Sequence, residues 1–261
     1  IRETKSAYNI QKEEGSEWTN FIPNEQFNGI LQKVIGSVSN KVVDEHRSFW
    51  LEGTYGTGKS HAAAVIKHLL CDPIEEIDTY IKDEYGADKY SIIRESLYAL
   101  RKQTRLFPVA MNSTCSISTG EDLPLQIQLH VCQALADANI DISVKTDFDN
   151  YIAHIEQNPL IWDTIIDSDS ELKSYAPDRK KLIKELKDRD ASSAILSLAK
   201  KAMRNSKLHV ILEQENLSNW FFEVQDELAK KTDYKGIFLI WDEFTDVMDL
   251  EVGPTVLGGL Q

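Results

Sequence analysis

No stretch of this sequence approaches the ~18–20 consecutive apolar residues of a membrane-spanning helix, and no signal peptide is recognisable. Cysteine is scarce. Cys71, Cys115 and Cys132 are odd in number and irregularly spaced, which excludes a disulfide framework or a zinc pattern and fits free thiols in a reducing cytoplasm. His46, His68, His130, His154 and His209 show no metal-ligand spacing, and there are no repeats or low-complexity tracts. Positive charge is also short. Lys and Arg total 29 against 42 Asp and Glu, a net charge of −13 over 261 residues. So acidic a chain is repelled by phosphate backbones and is not expected to be a main nucleic-acid grip. The deficit is uneven, because residues 171–210 hold 11 Lys/Arg against 5 Asp/Glu.

What is present is a globular composition, 42% hydrophobic and 27% charged, long enough for one large domain or a core with a substantial insertion. Residues 1–20 are polar and weakly patterned, as in a loose entry segment. Phe27, Ile30, Leu31, Val34 and Ile35 recur at helical steps. Ser48–Glu52 is a short apolar run expected to form a buried strand, and Lys59–Leu70 is expected to form a buried helix. Asp72-Pro73 is the pattern of a capping carboxylate with proline at the first helical position. A helix is expected around Ile92–Leu100 and a second strand at Leu106–Met111, running into a polar loop, Asn112–Gly120. Asp122 and Pro124 start a helix to about Ala138, although Leu125, Ile127, Leu129 and Val131 also fit strand alternation. Short helices follow over 140–215, then a helix from Trp220 to Lys231 and a strongly apolar strand, Ile237–Trp241. Helices alternating with apolar strands predict an α/β fold with a mainly parallel sheet flanked by helices, plus a helical insertion. The expected organisation is an N-terminal segment 1–26, a first half of the core 27–139, the insertion 140–215 and a second half 216–261.

The chemistry concentrates at two places. Gly53-Thr54-Tyr55-Gly56-Thr57-Gly58-Lys59-Ser60 matches the phosphate-binding pattern G-x-x-x-x-G-K-[ST] at every position. Glycines let successive backbone N–H groups curl toward phosphate oxygens, and the helix beginning near Lys59 adds its positive end. Lys59 is expected to reach the β- and γ-phosphates of ATP and Ser60 to ligate Mg²⁺. Such a match arises by chance in about one chain of this length in a hundred. The second place is Asp242-Glu243, at the end of the last strand. Asp242 there can hold Mg²⁺ through its water shell, and Glu243 can polarise the water that attacks the γ-phosphate. Tyr55 either stacks near nucleotide or packs against protein. His61 either contacts phosphate or packs as a helix residue. The Asn112–Ser118 stretch either lines the site or forms turns. The basic cluster from Arg179 to Arg189 is a contact for DNA or a partner, or the solvated face of an amphipathic helix.

At these residues the chain resembles the additional-strand, catalytic-glutamate division of P-loop NTPases, most like the AAA+ group and its ORC-like and STAND-like relatives. Gly53–Ser60 matches Walker A and Ile237–Glu243 matches Walker B. Tyr55–His61, after a Trp-Leu-Glu run, is similar to the N-terminal ATPase region of large bacterial anti-phage proteins, the BREX-system ATPases of the BrxC and PglY type. The resemblance implies an ATP- and Mg²⁺-dependent hydrolase, with Glu243 and Lys59 catalytic and Gly53–His61 holding nucleotide. It implies cytoplasmic work in a homo-oligomer or multi-protein complex, with no membrane. Sensor strand, arginine finger and helical lid are not identifiable, and the chain ends 18 residues after Glu243, so part of a longer protein is expected. A DExx-type helicase would carry further motifs on a second domain, a small-molecule kinase would need an acceptor site and lid, and a non-hydrolysing scaffold would bind ATP without turnover.

Overall fold

The computed structural model describes residues 8, 10, 13, 15–39, 48–54, 56–111, 122–188, 195–206, 216–242 and 244. The chain divides into two compact units, Ile1–Met111 with Thr232–Asp242, and Asn112–Lys231 with Glu243–Leu260.

The first unit contains four α-helices and two strands among the described residues: α1 (Glu25–Ser39), α2 (Lys59–Cys71), α3 (Ile74–Tyr85), α4 (Ser91–Arg101), β1 (Leu106–Met111) and β2 (Gly236–Trp241). Helical periodicity explains α1, whose Phe27, Leu31, Val34 and Ile35 all turn inward. Asn24 opens it by accepting the Phe27 N–H at 2.8 Å. α1 and α3 pack on α4, and α2 lies against both strands. The strands run parallel in a continuous register from Leu106 opposite Gly236 to Met111 opposite Trp241. The ladder extends one residue further, because Asp242 N–H donates to the Met111 carbonyl at 2.9 Å.

Three expectations are corrected here. The described residues are mostly helical and their sheet has two strands, so the mainly parallel sheet of a P-loop core is not formed. Ser48–Glu52 lies in neither strand, and Phe49 and Trp50 are 41% and 53% exposed where burial was expected. An apolar run permits a strand, but ladder pairing makes one. The ladder here joins β1 to β2. Asp72, expected to cap α3, does not do so. Pro73 occupies the N-cap position, no side chain caps the helix, and the Asp72 carboxylate is bonded to His68 Nδ1 instead.

Among its described residues the regular elements of the second unit are all helices: α5 (Asp122–Asp137), α6 (Asp147–Gln157), α7 (Pro159–Ser168), α8 (Ser170–Tyr175), α9 (Arg179–Asp188), α10 (Ile195–Asn205) and α11 (Leu217–Lys231). Local polar chemistry separates these short helices. Thr146 and Asp149 form a reciprocal capping box at α6, and Asp169 accepts from the N–H groups of Glu171 and Leu172 at α8. Pro159 takes the first position of α7. The core gathers around Trp162, fully buried with Ile155, Ile165, Leu172, Leu182 and Leu186.

Candidate functional site

The loop ahead of α2 owes its course to three glycines. Gly56 and Gly58 have φ values of +79° and +82°, a region that side-chain-bearing residues enter at a cost of about 1–2 kcal/mol. Gly58 is the N-cap of α2, so the left-handed residue is what turns the loop into the helix. Space is tight at Gly53. A Cβ added there would lie 3.1 Å from Thr57 Oγ1 and 3.7 Å from Lys59 Cδ. The loop is tied by Thr57 Oγ1, which donates to the Thr54 carbonyl at 2.8 Å. Lys59 folds back over it, its ammonium donating to the carbonyls of Gly53 at 2.8 Å and Thr54 at 3.0 Å. The one long cation of the motif is thereby held on the loop itself.

Ser60, in the first turn of α2, donates from Oγ to Asp242 Oδ1 at 3.1 Å, across 182 residues of sequence. Each partner is fixed from behind. Asp242 is anchored by its backbone bond to Met111, and α2 is seated on the strands by its alanines. Ala64 is fully buried and packs with Ile10 and Ile240, a close approach that larger side chains would prevent. The far end of α2 is held by arginines. Arg101 donates to the carbonyls of Leu70 and Asp72, and Arg105 Nε to that of Cys71 at 2.7 Å. Cations there match the negative end of the helix.

The donor set suits a phosphate-bound magnesium ion. One hydroxyl and one carboxylate are hard oxygen ligands, too few to cage a metal by themselves but sufficient where phosphate oxygens and water complete the shell. Among the described residues no group of three or more His, Cys, Asp or Glu side chains could hold a metal without such help. The space reserved at Gly53 and the positive φ at Gly56 and Gly58 are likewise what a backbone cradle for phosphate requires.

Of the expected site residues, Gly53, Thr54, Gly56, Thr57, Gly58, Lys59 and Ser60 form this loop and helix start, and Asp242 joins them. Tyr55, Glu243 and the polar Asn112–Gly120 loop lie outside the described residues. His61 is committed elsewhere. Its Nε2 lies 3.1 Å from the Trp18 carbonyl, its ring stacks on Tyr8 at 4.3 Å, and the Phe21 ring meets it edge-on.

In the second unit, the basic cluster on α9 spends much of its charge internally. Arg179 pairs with Asp163 at 2.6 Å, Lys181 with Glu185, and Lys187 with Glu156 at 3.5 Å. These exposed pairs are worth about 0–1 kcal/mol each; the bonds to Asp163 and Glu156 set the acidic half of the 140–215 stretch against its basic half, and the Lys181–Glu185 pair lies within α9. Arg189 lies outside the described residues. No described helix is long and apolar enough to cross a membrane.

Sequence reasoning missed one group altogether. Glu13 sits among Tyr8, Lys67 and His68, joining the N-terminal segment to α2. The only signal was Tyr8, Ile10 and Trp18, apolar residues inside a polar segment. Comparison of the chain with protein-family models, with curated proteins and with solved structures gave no match.

Proposed function

We propose that the chain binds ATP with Mg²⁺ at Gly53–Ser60 and Asp242 and hydrolyses it, driving conformational change in a multi-component assembly. The observation that carries this reading is the 3.1 Å approach of Ser60 to Asp242. Two motifs identified separately in the sequence supply adjacent oxygen ligands at the end of one strand and the start of one helix. Held by the Ser60 hydroxyl and, through water, by Asp242, magnesium would neutralise charge on the β- and γ-phosphate oxygens. The loop's backbone N–H groups and the α2 N-terminus bind the phosphates, and Lys59 leaves its loop carbonyls to meet their charge. Glu243, next in sequence to Asp242, orients and polarises the attacking water. That residue separates hydrolysis from mere binding. In this reading the work belongs to a homo-oligomer or a larger complex, in anti-phage defence.

The test is ATP binding and turnover by the chain. Lys59→Ala should lose binding, and Glu243→Gln should bind without turnover. Turnover that survives Glu243→Gln would rule out the assigned role. Binding without turnover in every form would leave a nucleotide-binding scaffold.

A further inference from the structure

α2 carries a second set of polar groups, two turns beyond Ser60, which phosphate chemistry does not use. At its centre is Glu13. Its Oε1 accepts from the Tyr8 hydroxyl and faces His68 Nε2 at 2.9 Å, and its Oε2 pairs with Lys67. The other ring nitrogen of His68, Nδ1, is bonded to Asp72. The Glu13, Lys67 and His68 side chains are only 13, 14 and 12% exposed. Both nitrogens of one imidazole therefore face carboxylates. Only the doubly protonated ring can donate to both, since a neutral ring has one donor. The Trp18 indole stacks on His68 with centroids 4.5 Å apart, and the Tyr80 hydroxyl donates to the Phe21 carbonyl at 3.0 Å. The same segment holds His61, seven residues earlier on α2 and directly after Ser60.

We propose that the segment bearing Tyr8, Glu13, Trp18 and Phe21 is a latch on α2, closed while His68 bridges Glu13 and Asp72 as an imidazolium, and that through His61 it holds the first turn of α2 and the phosphate loop in place. The consequence for nucleotide affinity rests on the function proposed above. The latch itself does not.

The charges around His68 set the direction of its pH response. Burial pulls its pKa down, but the bonds to Asp72 and Glu13 outweigh burial and the repulsion of Lys67, so it stands raised. Arg101 and Arg105 reach the same helix end through the carbonyls of Leu70, Cys71 and Asp72. A raised histidine contributes fully below its ordinary value of about 6.5 and loses its contribution as pH climbs through the higher, folded value. On the acid side, burial pushes Glu13 up, but the bonds from His68, Lys67 and Tyr8 prevail and hold it at about 2. Its contribution is thus present above the ordinary carboxylate range and fades as pH falls toward that value. The latch is closed between those limits and opens on the alkaline side.

Hydrogen–deuterium exchange on the whole chain reads this directly, with peptides covering 15–21 and 59–66 compared with peptides of α6–α9 as the internal reference for intrinsic pH effects. Between about pH 6 and about pH 9, spanning the histidine range, both latch peptides should lose protection in the wild type. His68→Gln should abolish that pH dependence. Glu13→Gln should raise exchange in both peptides at either pH, on the order of tenfold, the weight of a hydrogen bond to a charged group. No pH dependence in the wild type would overturn the proposal, as would loss of protection in 15–21 that leaves 59–66 unchanged. Should Glu13→Gln also loosen the reference helices, the wild-type pH series decides alone. Binding of an ATP analogue is measured alongside. A severalfold weaker affinity in Glu13→Gln supports the link to the loop, and an unchanged affinity with the latch open refutes it. If the wild type binds no nucleotide, the functional reading fails and the exchange data still judge the latch.

Discussion

Gly53→Ala separates the loop's role in binding from its role in stability. The added Cβ would sit 3.1 Å from Thr57 Oγ1, and 3.7 and 3.9 Å from the Cδ and Cγ of Lys59. The two lysine contacts are ordinary, but the first is too close, so Thr57 must yield by a few tenths of an ångström. Its hydroxyl is not free to do so without loss, because it donates to the Thr54 carbonyl at 2.8 Å. Losing that bond costs about 0.5–1.5 kcal/mol, toward the lower end at this exposed position. Against this, replacing glycine by alanine restricts the unfolded chain and returns about 0.4–1 kcal/mol. The two nearly cancel, so urea unfolding should place the variant within about 1 kcal/mol of wild type. Binding has no such offset. A displaced Thr57 distorts the curl that aims backbone N–H groups at phosphate, and affinity for an ATP analogue should fall about tenfold or more, the equivalent of 1.4 kcal/mol. In a Thr57→Ala background the clash is gone, and adding Gly53→Ala should cost less affinity than it does alone. Unchanged affinity in Gly53→Ala, or full additivity in the double variant, would refute the reasoning.

Trp162 is fully buried in the second unit, and its indole N–H donates to His154 Nδ1 at 2.9 Å. Trp162→Ala should cost about 3–5 kcal/mol in urea unfolding followed by far-ultraviolet circular dichroism. A loss under about 1 kcal/mol would mean the core is centred elsewhere. Thr146→Ala removes one half of the capping box at α6 and should destabilise by about 1 kcal/mol, whereas Thr146→Ser should retain most of the stability.

The helices that face one way were legible from sequence, and those that do not were ambiguous. α1 shows its stripe plainly, because its polar positions face away from Phe27, Leu31 and Val34. α5 does not. Leu125, Gln126, Ile127, Gln128 and Leu129 are all buried, so neither face stands out and strand alternation fitted as well as helix. Ser48–Glu52 failed for the opposite reason, since five residues specify apolarity but not the strand they would pair with. The pairing of β1 with β2 joins segments more than 120 residues apart and leaves no local mark. At the candidate site, the turn of the Gly53–Ser60 loop into α2 was readable because glycines at fixed spacing can take the positive φ found at Gly56 and Gly58. The destination of His61 was not, since Trp18 and Tyr8 decide it from far upstream. Asp72 had two local partners on offer, the start of α3 and His68 one turn back, and the sequence cannot rank them.

The most direct test of the central claim is titration of the whole chain with a fluorescent ATP analogue, with and without Mg²⁺, in wild type, Lys59→Ala and Asp242→Asn. The account predicts binding strengthened by Mg²⁺ in the wild type, loss of binding in Lys59→Ala, and residual binding that Mg²⁺ no longer strengthens in Asp242→Asn. Binding that is indifferent to both substitutions, or no binding at millimolar nucleotide, would contradict it.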